Sequence, residues 1–191
     1  LRPLLSESEK ELEKLDQIEK EFSELMNKEL KQMWANKLGL NNYDETLVNE
    51  IFNLMVLSKA DYTILFRKLS YIPENLNFLK DCLYFPVNEE LNQRWQVWLK
   101  KWQETLKKEG SINTKSQSMK SINPIYTWRE WIVLAAYEDA EKGNYNKIKE
   151  LQAVFSKPYD KQSLEIEQKY NRLKPNQFFN YGGVSHYSCS S

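Results

Sequence analysis

Apolar residues recur at Leu12, Leu15, Ile18, Phe22, Leu25, Met26, Leu30, Met33 and Trp34, in steps of three and four. That is the period of one face of an α-helix, and no strand can share it. Ser8 and Glu11 stand before the stripe at the spacing of a capping box, where the hydroxyl accepts an amide and the carboxylate reaches back. Gly39 follows it, where a helix ends on a left-handed residue. The pattern predicts a helix over 8–38, roughly 45 Å long. The stripe drifts instead of keeping a strict heptad, which predicts packing on a globular body over a long coiled coil. Glu24 and Lys28 add a favourable i,i+4 pair on the solvent side.

Helical periods continue along the chain. Asp44 is placed to cap a second helix with Leu47, Val48, Ile51, Phe52, Leu54 and Met55, dense enough in apolar residues to be deeply buried. Asp61 is placed to cap a short third helix, Pro73 ends that region, and a short helical piece is expected around Leu76–Leu83. Asn88 opens a long helix carrying Leu91, Trp95, Trp98, Leu99, Trp102 and Leu106, closed by Gly110. Its three tryptophans could form a ligand platform, but the ordinary use of large rings at helical spacing is the core. Residues 110–123 are polar and serine-rich without periodicity, and read as a loop or linker. Lys107, Lys108, Lys115 and Lys120 make that neighbourhood mildly basic, yet they do not cluster on one element, which favours a solvated face over a phosphate site.

Beyond Pro124, Thr127 and Glu130 repeat the capping-box spacing and predict a helix to about Lys142. Gly143 and Asn144 then join it to a helix with Ile148, Leu151, Val154 and Phe155, an αα-hairpin. Residues 163–173 are expected to form one more helix. Residues 174–191 read as extended, and Phe178, Phe179, Tyr181 and Tyr187 predict that this tail packs along a surface. The fold expected is all-α, with about six to eight helices. It divides into a helical segment over 1–110, a flexible linker over 111–123, the hairpin and following helix over 124–173, and the tail over 174–191.

Composition narrows the chemistry. Basic and acidic residues balance at 27 each, so no overall field favours nucleic acid or an anionic membrane. No apolar run approaches the roughly 20 residues needed to span a bilayer, and no targeting signal is visible. Only five glycines are present, Gly39, Gly110, Gly143, Gly182 and Gly183. Three fall at expected helix ends and two in the tail, so no glycine-rich phosphate loop can be assembled. His186 is the single histidine, which removes His-pair metal motifs and any serine triad. No catalytic, cofactor-binding or metal residue is therefore assigned. Of the two cysteines, Cys82 lies in an apolar setting and reads as structural. Cys189 is accessible by position, and His186 stands three residues before it, near enough to lower its pKa if the tail turns.

Four strings stand in order: Asn123-Pro124-Ile125-Tyr126-Thr127-Trp128-Arg129-Glu130-Trp131, then Ala140-Glu141-Lys142-Gly143-Asn144-Tyr145, then Lys157-Pro158-Tyr159-Asp160, and finally Cys189-Ser190-Ser191. Together they resemble the C-terminal end of the selenoprotein O (SelO, bacterial YdiU) family of pseudokinase-fold protein adenylyltransferases. Leu1-Arg2-Pro3-Leu4-Leu5 resembles the segment where that family's kinase-like core ends, so the chain, which opens on Leu1, reads as a processed or cut product. The resemblance implies a parent protein that transfers AMP from ATP to Ser, Thr or Tyr hydroxyls of other proteins, using magnesium or manganese held in the core. The chain itself would be inactive, with that core as its partner in cis. Animal members carry selenocysteine at the position of Cys189, which implies a redox role and a reversible disulfide with a core cysteine. Arg129 matches a motif position, and is expected either to anchor a carboxylate elsewhere in the full protein or to pair within its own helix. In eukaryotes the resemblance implies a mitochondrial location. The alternative is a stand-alone helical protein–protein interaction module with no catalytic role.

Overall fold

Three helices begin where a short polar side chain takes a free amide. Asp44 accepts from the Leu47 amide (2.9 Å), Asp61 from Ile64 (3.0 Å) and Asn88 from Leu91 (2.9 Å). Caps of this kind contribute about 1 kcal/mol apiece. The computed structural model describes residues 9–179. Among them lie eight α-helices: α1 (Glu9–Lys37), α2 (Glu45–Ser58), α3 (Tyr62–Leu69), α4 (Glu89–Glu109), α5 (Ile112–Ile122), α6 (Glu130–Glu141), α7 (Asn146–Phe155) and α8 (Leu164–Tyr170). Two 3-10 segments, Leu76–Cys82 and Asn176–Phe178, complete the order. The described residues contain no strand, only an isolated bridge between Ala60 and Leu83. The fold is all-α.

The apolar faces gather into two clusters. In the first, Leu47, Ile51 and Leu54 of α2 meet Trp95, Trp98 and Trp102 of α4, with Ala35 and Leu38 from the end of α1. The tryptophans are core, and two also serve as ties. Trp98 Nε1 donates to the Leu47 carbonyl (2.9 Å) and Trp102 Nε1 to that of Leu38 (2.8 Å). Each bond satisfies an indole that burial would otherwise strand. The second cluster joins Ile125, Tyr126, Trp131, Ile132, Ala136, Leu151, Val154 and Tyr170. Here α6 and α7 form the expected hairpin, turning at Gly143 with φ +79°.

Two expectations need correction. The linker over 110–123 is largely helix α5, packed on α1 and α4. Met119 is fully buried against Gly39, where a β-carbon would come within 2.8 Å of its sulfur. Ser116 Oγ donates to the Ser70 carbonyl (2.7 Å), and Lys115 Nζ reaches Asn41 Oδ1 (2.7 Å) and Glu109 Oε2 (3.0 Å). Tertiary contacts hold a helix whose own apolar pattern is too sparse to announce it.

The capping box at Thr127 does not form. Helix α6 starts at Glu130 with no side-chain cap, and Arg129 is extended (φ −109°, ψ 136°). The Thr127 hydroxyl is engaged by Thr63 Oγ1 instead (3.2 Å). Finally, Trp34, Ala35 and Leu38 at the end of α1 pack on the first cluster. Residues 16–32 are exposed, with Ile18, Phe22, Leu25, Met26 and Leu30 between 42% and 62% accessible. Ser8 lies outside the described residues.

Candidate functional site

The strip Asn123–Arg129 sits where the two clusters meet, and its cross-ties come from the side chains of Asn123, Thr127 and Arg129, while the buried Tyr126 hydroxyl has no hydrogen-bond partner among the described residues. Asn123 is fully buried. Its Nδ2 donates to the Lys37 carbonyl (2.8 Å) and to Ser70 Oγ (3.1 Å), while its Oδ1 accepts from Lys37 Nζ (3.2 Å). Arg67, buried in α3, donates through Nη1 to the carbonyls of Lys120 (2.8 Å) and Asn123 (3.0 Å). One asparagine thus joins the end of α1, the end of α3 and the exit of α5. A buried network of this kind is costly to leave half satisfied, which fixes its geometry.

Past Pro124, the amides of Ile125 and Tyr126 both point at the Pro158 carbonyl (2.8 and 3.2 Å). The sequence strings around Pro124 and Pro158, well separated in the chain, are therefore neighbours in space. Trp128 is 64% exposed and lies against Phe155, with ring centroids 4.3 Å apart.

Arg129 finds its carboxylate inside this chain. Its two terminal nitrogens hold Asp61 as a fork (2.7 and 2.9 Å), and Nη1 also donates to the Arg172 carbonyl (3.0 Å). Both side chains are about 11% exposed. The partner within this chain is not in Arg129's own helix but is the cap of α3. Asp61 does three jobs: it caps α3, receives the fork, and donates its backbone amide to the Cys82 carbonyl (2.7 Å). The bidentate geometry suits arginine and not lysine.

The chain leaving α8 makes a second crossing. Leu173 packs on the first cluster, while Tyr170 and Phe178 belong with the second. The Lys174 amide donates to Tyr84 Oη (3.1 Å). Phe178 lies 5.8 Å from the Trp131 ring and Phe179 meets Tyr84 edge-on at 5.5 Å. Of the tail expected over 174–191, the first part therefore packs along the surface, with a 3-10 turn at Asn176–Phe178. Tyr181, His186, Tyr187 and Cys189 lie outside the described residues.

Burial and hydrogen bonding shift several titratable groups, among them Cys82, Lys37 and Glu150. Cys82 is fully buried and donates to the Leu79 carbonyl (2.9 Å); burial pushes its thiol up to about 12. A thiol held protonated this way is inert, in line with its apolar setting. Lys37 lies over the rings of Tyr62 (5.1 Å) and Phe66 (5.3 Å), and partial burial lowers its pKa. Burial alone would raise Glu150, but hydrogen bonds from Lys169 and Tyr170 (each 2.5 Å) hold it below the ordinary carboxylate value.

Gly39, Gly110 and Gly143 close helices, and among the described residues no group of three or more His, Cys, Asp or Glu could hold a metal ion. Among the described residues no helix is long and apolar enough to cross a membrane. The sequence could not reveal the roles of Lys37, Arg67 and Asp61 at the junction. Asp61 was legible as a cap, but a cap's spare oxygen carries no signal of a distant arginine.

The geometry defines an all-α body of two helical clusters, welded by one buried polar strip. The family model described as protein adenylyltransferase SelO matches residues 3–156. The chain belongs to that family. It is 30% identical over 181 residues to the protein nucleotidyltransferase YdiU of Tolumonas auensis, covering 89% of this chain and 34% of that protein. The protein of the same name from Flavobacterium johnsoniae is 30% identical over 201 residues, covering 99% of this chain and 37% of that protein. The chain thus spans about a third of the length of the curated relatives it matches.

Proposed function

We propose that this chain is the C-terminal helical region of a SelO-type protein adenylyltransferase, bracing a kinase-like core that carries the chemistry. The parent would transfer AMP from ATP to hydroxyl side chains of proteins, with magnesium or manganese bound in the core. This region would supply no catalytic group.

One observation carries the reading: the apolar stripe Ile18, Phe22, Leu25, Met26 and Leu30 on a helix that the other described residues leave exposed. Exposed apolar side chains in a contiguous row mark a contact face. About two thirds of each relative's own length lies outside the part this chain matches, enough to cover it. Arg129 then acts internally, holding the angle between the clusters, and Cys189 forms a reversible disulfide with a core cysteine that adjusts transfer.

Transfer from labelled ATP by the longer protein is the test. The 191-residue chain alone should label no acceptor. Phe22→Asp with Leu25→Asp in the longer protein should cut transfer at least tenfold without unfolding this region. Cys189→Ser should remove the response to reductant. Full activity after both stripe substitutions would refute the bracing role, and an unchanged response to reductant would refute the redox one.

A further inference from the structure

Beside the tail lies a groove that the family assignment does not use. It measures about 950 Å³ and is lined by Met55, Val56, Lys59, Ala60, Tyr84 and Phe85, with Phe179 on its wall. Val56 and Phe85 are 67% and 63% exposed, so apolar surface faces solvent with little to cover it. Lys59 is the single charged residue of the lining.

We propose that this groove is the seat of the chain's own residues 181–187, with Tyr181, Val184 and Tyr187 as its apolar anchors. Three observations select this occupant. The described chain arrives at the groove: Lys174 is bonded to Tyr84, and Phe179, already packed on Tyr84, forms part of the wall. Twelve residues follow Phe179, which reach at most about 40 Å when extended, and Phe179 already stands on the groove's wall. Residues 180–188 also contain no Asp, Glu, Lys or Arg, so an uncharged, aromatic segment meets an apolar cleft without desolvating a charge. Gly182 and Gly183 between the anchors let the backbone approach the wall closely.

Seating has a consequence for the proposed redox role, on which it does not depend. With Tyr187 anchored, Cys189 lies within two residues, or about 7 Å, of the groove's end. Its disulfide partner would then have to lie beside the C-terminal end of α2, not anywhere a free tail could sweep.

The test is paramagnetic broadening in the complete 191-residue chain. A nitroxide on Cys189 labels one site, because Cys82 is buried with its thiol pushed up to about 12. Amide peaks of residues 56–60 and 84–85 should lose most of their intensity, while those of α5 keep theirs. Val56→Asp in the groove, or Tyr181→Ser with Tyr187→Ser in the tail, should each restore the peaks. The two kinds of variant stand in different elements, so misfolding of one leaves the other informative. Broadening spread evenly over the surface, or unmoved by the variants, would overturn the proposal. So would broadening of an isotope-labelled chain by a nitroxide carried on an unlabelled one, since that identifies a second copy as the occupant. Disulfide mapping of the longer protein reports separately on the redox role.

Discussion

Arg129→Ala removes both arms of a fork whose bonds to Asp61 measure 2.7 and 2.9 Å, at a site where each side chain is about 11% exposed. Breaking a buried pair by deleting one partner costs about 3–5 kcal/mol, because the survivor remains buried and charged. Asp61 is not wholly abandoned, since the Ile64 amide still reaches its Oδ1 (3.0 Å). That places the loss at the low end, about 3 kcal/mol, or roughly two decades in the folding constant. For a chain of this size the melting temperature should fall by about 6–12 °C. Arg129→Lys keeps the charge but not the fork, and should cost about half as much. Urea unfolding of both variants, with Asp61→Ala and the double variant to close a cycle, measures the pair directly. The double variant should be less destabilised than the sum of the singles. If Arg129→Ala lies within about 0.5 kcal/mol of the unsubstituted chain, the junction is not held as described.

Gly39→Ala forces a side chain onto a residue at φ +70° and within 2.8 Å of the Met119 sulfur; it should cost about 1–3 kcal/mol by urea unfolding. Native-state thiol titration at pH 8 should consume one of the two cysteines, and titration in denaturant both. Because burial raises Cys82 from 9.0 to about 12, its share of stability is complete below pH 9 and is lost as pH climbs toward 12; Cys82→Ala should flatten that part of the profile. Glu150 is held below the ordinary carboxylate value by Lys169 and Tyr170, so its contribution is present at neutral pH and lost on acidification. Glu150→Gln should weaken the acid dependence of unfolding, by less than about 1 kcal/mol at pH 7 given its partial exposure.

The fold was legible wherever apolar period and caps agreed. Asp44, Asp61 and Asn88 each take the amide their spacing predicts, and the tryptophans of α4 are core as large rings at that spacing ordinarily are. Helix α5 was hidden because Met119 is its single buried apolar residue and long-range bonds from Ser116 and Lys115 do the rest. The Thr127 box misled because a capping motif states a local preference, and Thr63 offers that hydroxyl a partner 64 residues away. At the candidate site, the strings around Pro124 and Pro158 were visible as strings. Their contact through one carbonyl was not, since spacing along the chain says nothing of meeting across it. Residue types alone also gave no sign that α1 would stay bare over 16–32, because a stripe records that a face is covered and not by what.

Position 22 therefore bears most directly on the account. A photoreactive amino acid placed there in the longer protein, followed by mass spectrometry of the cross-linked peptides, reports what covers α1. On this account, cross-links within one molecule, to the kinase-like core proposed to lie outside this chain, are expected, as is their loss when Leu25 and Leu30 are made Asp. Cross-links confined to a second copy, or none to the core, would contradict it.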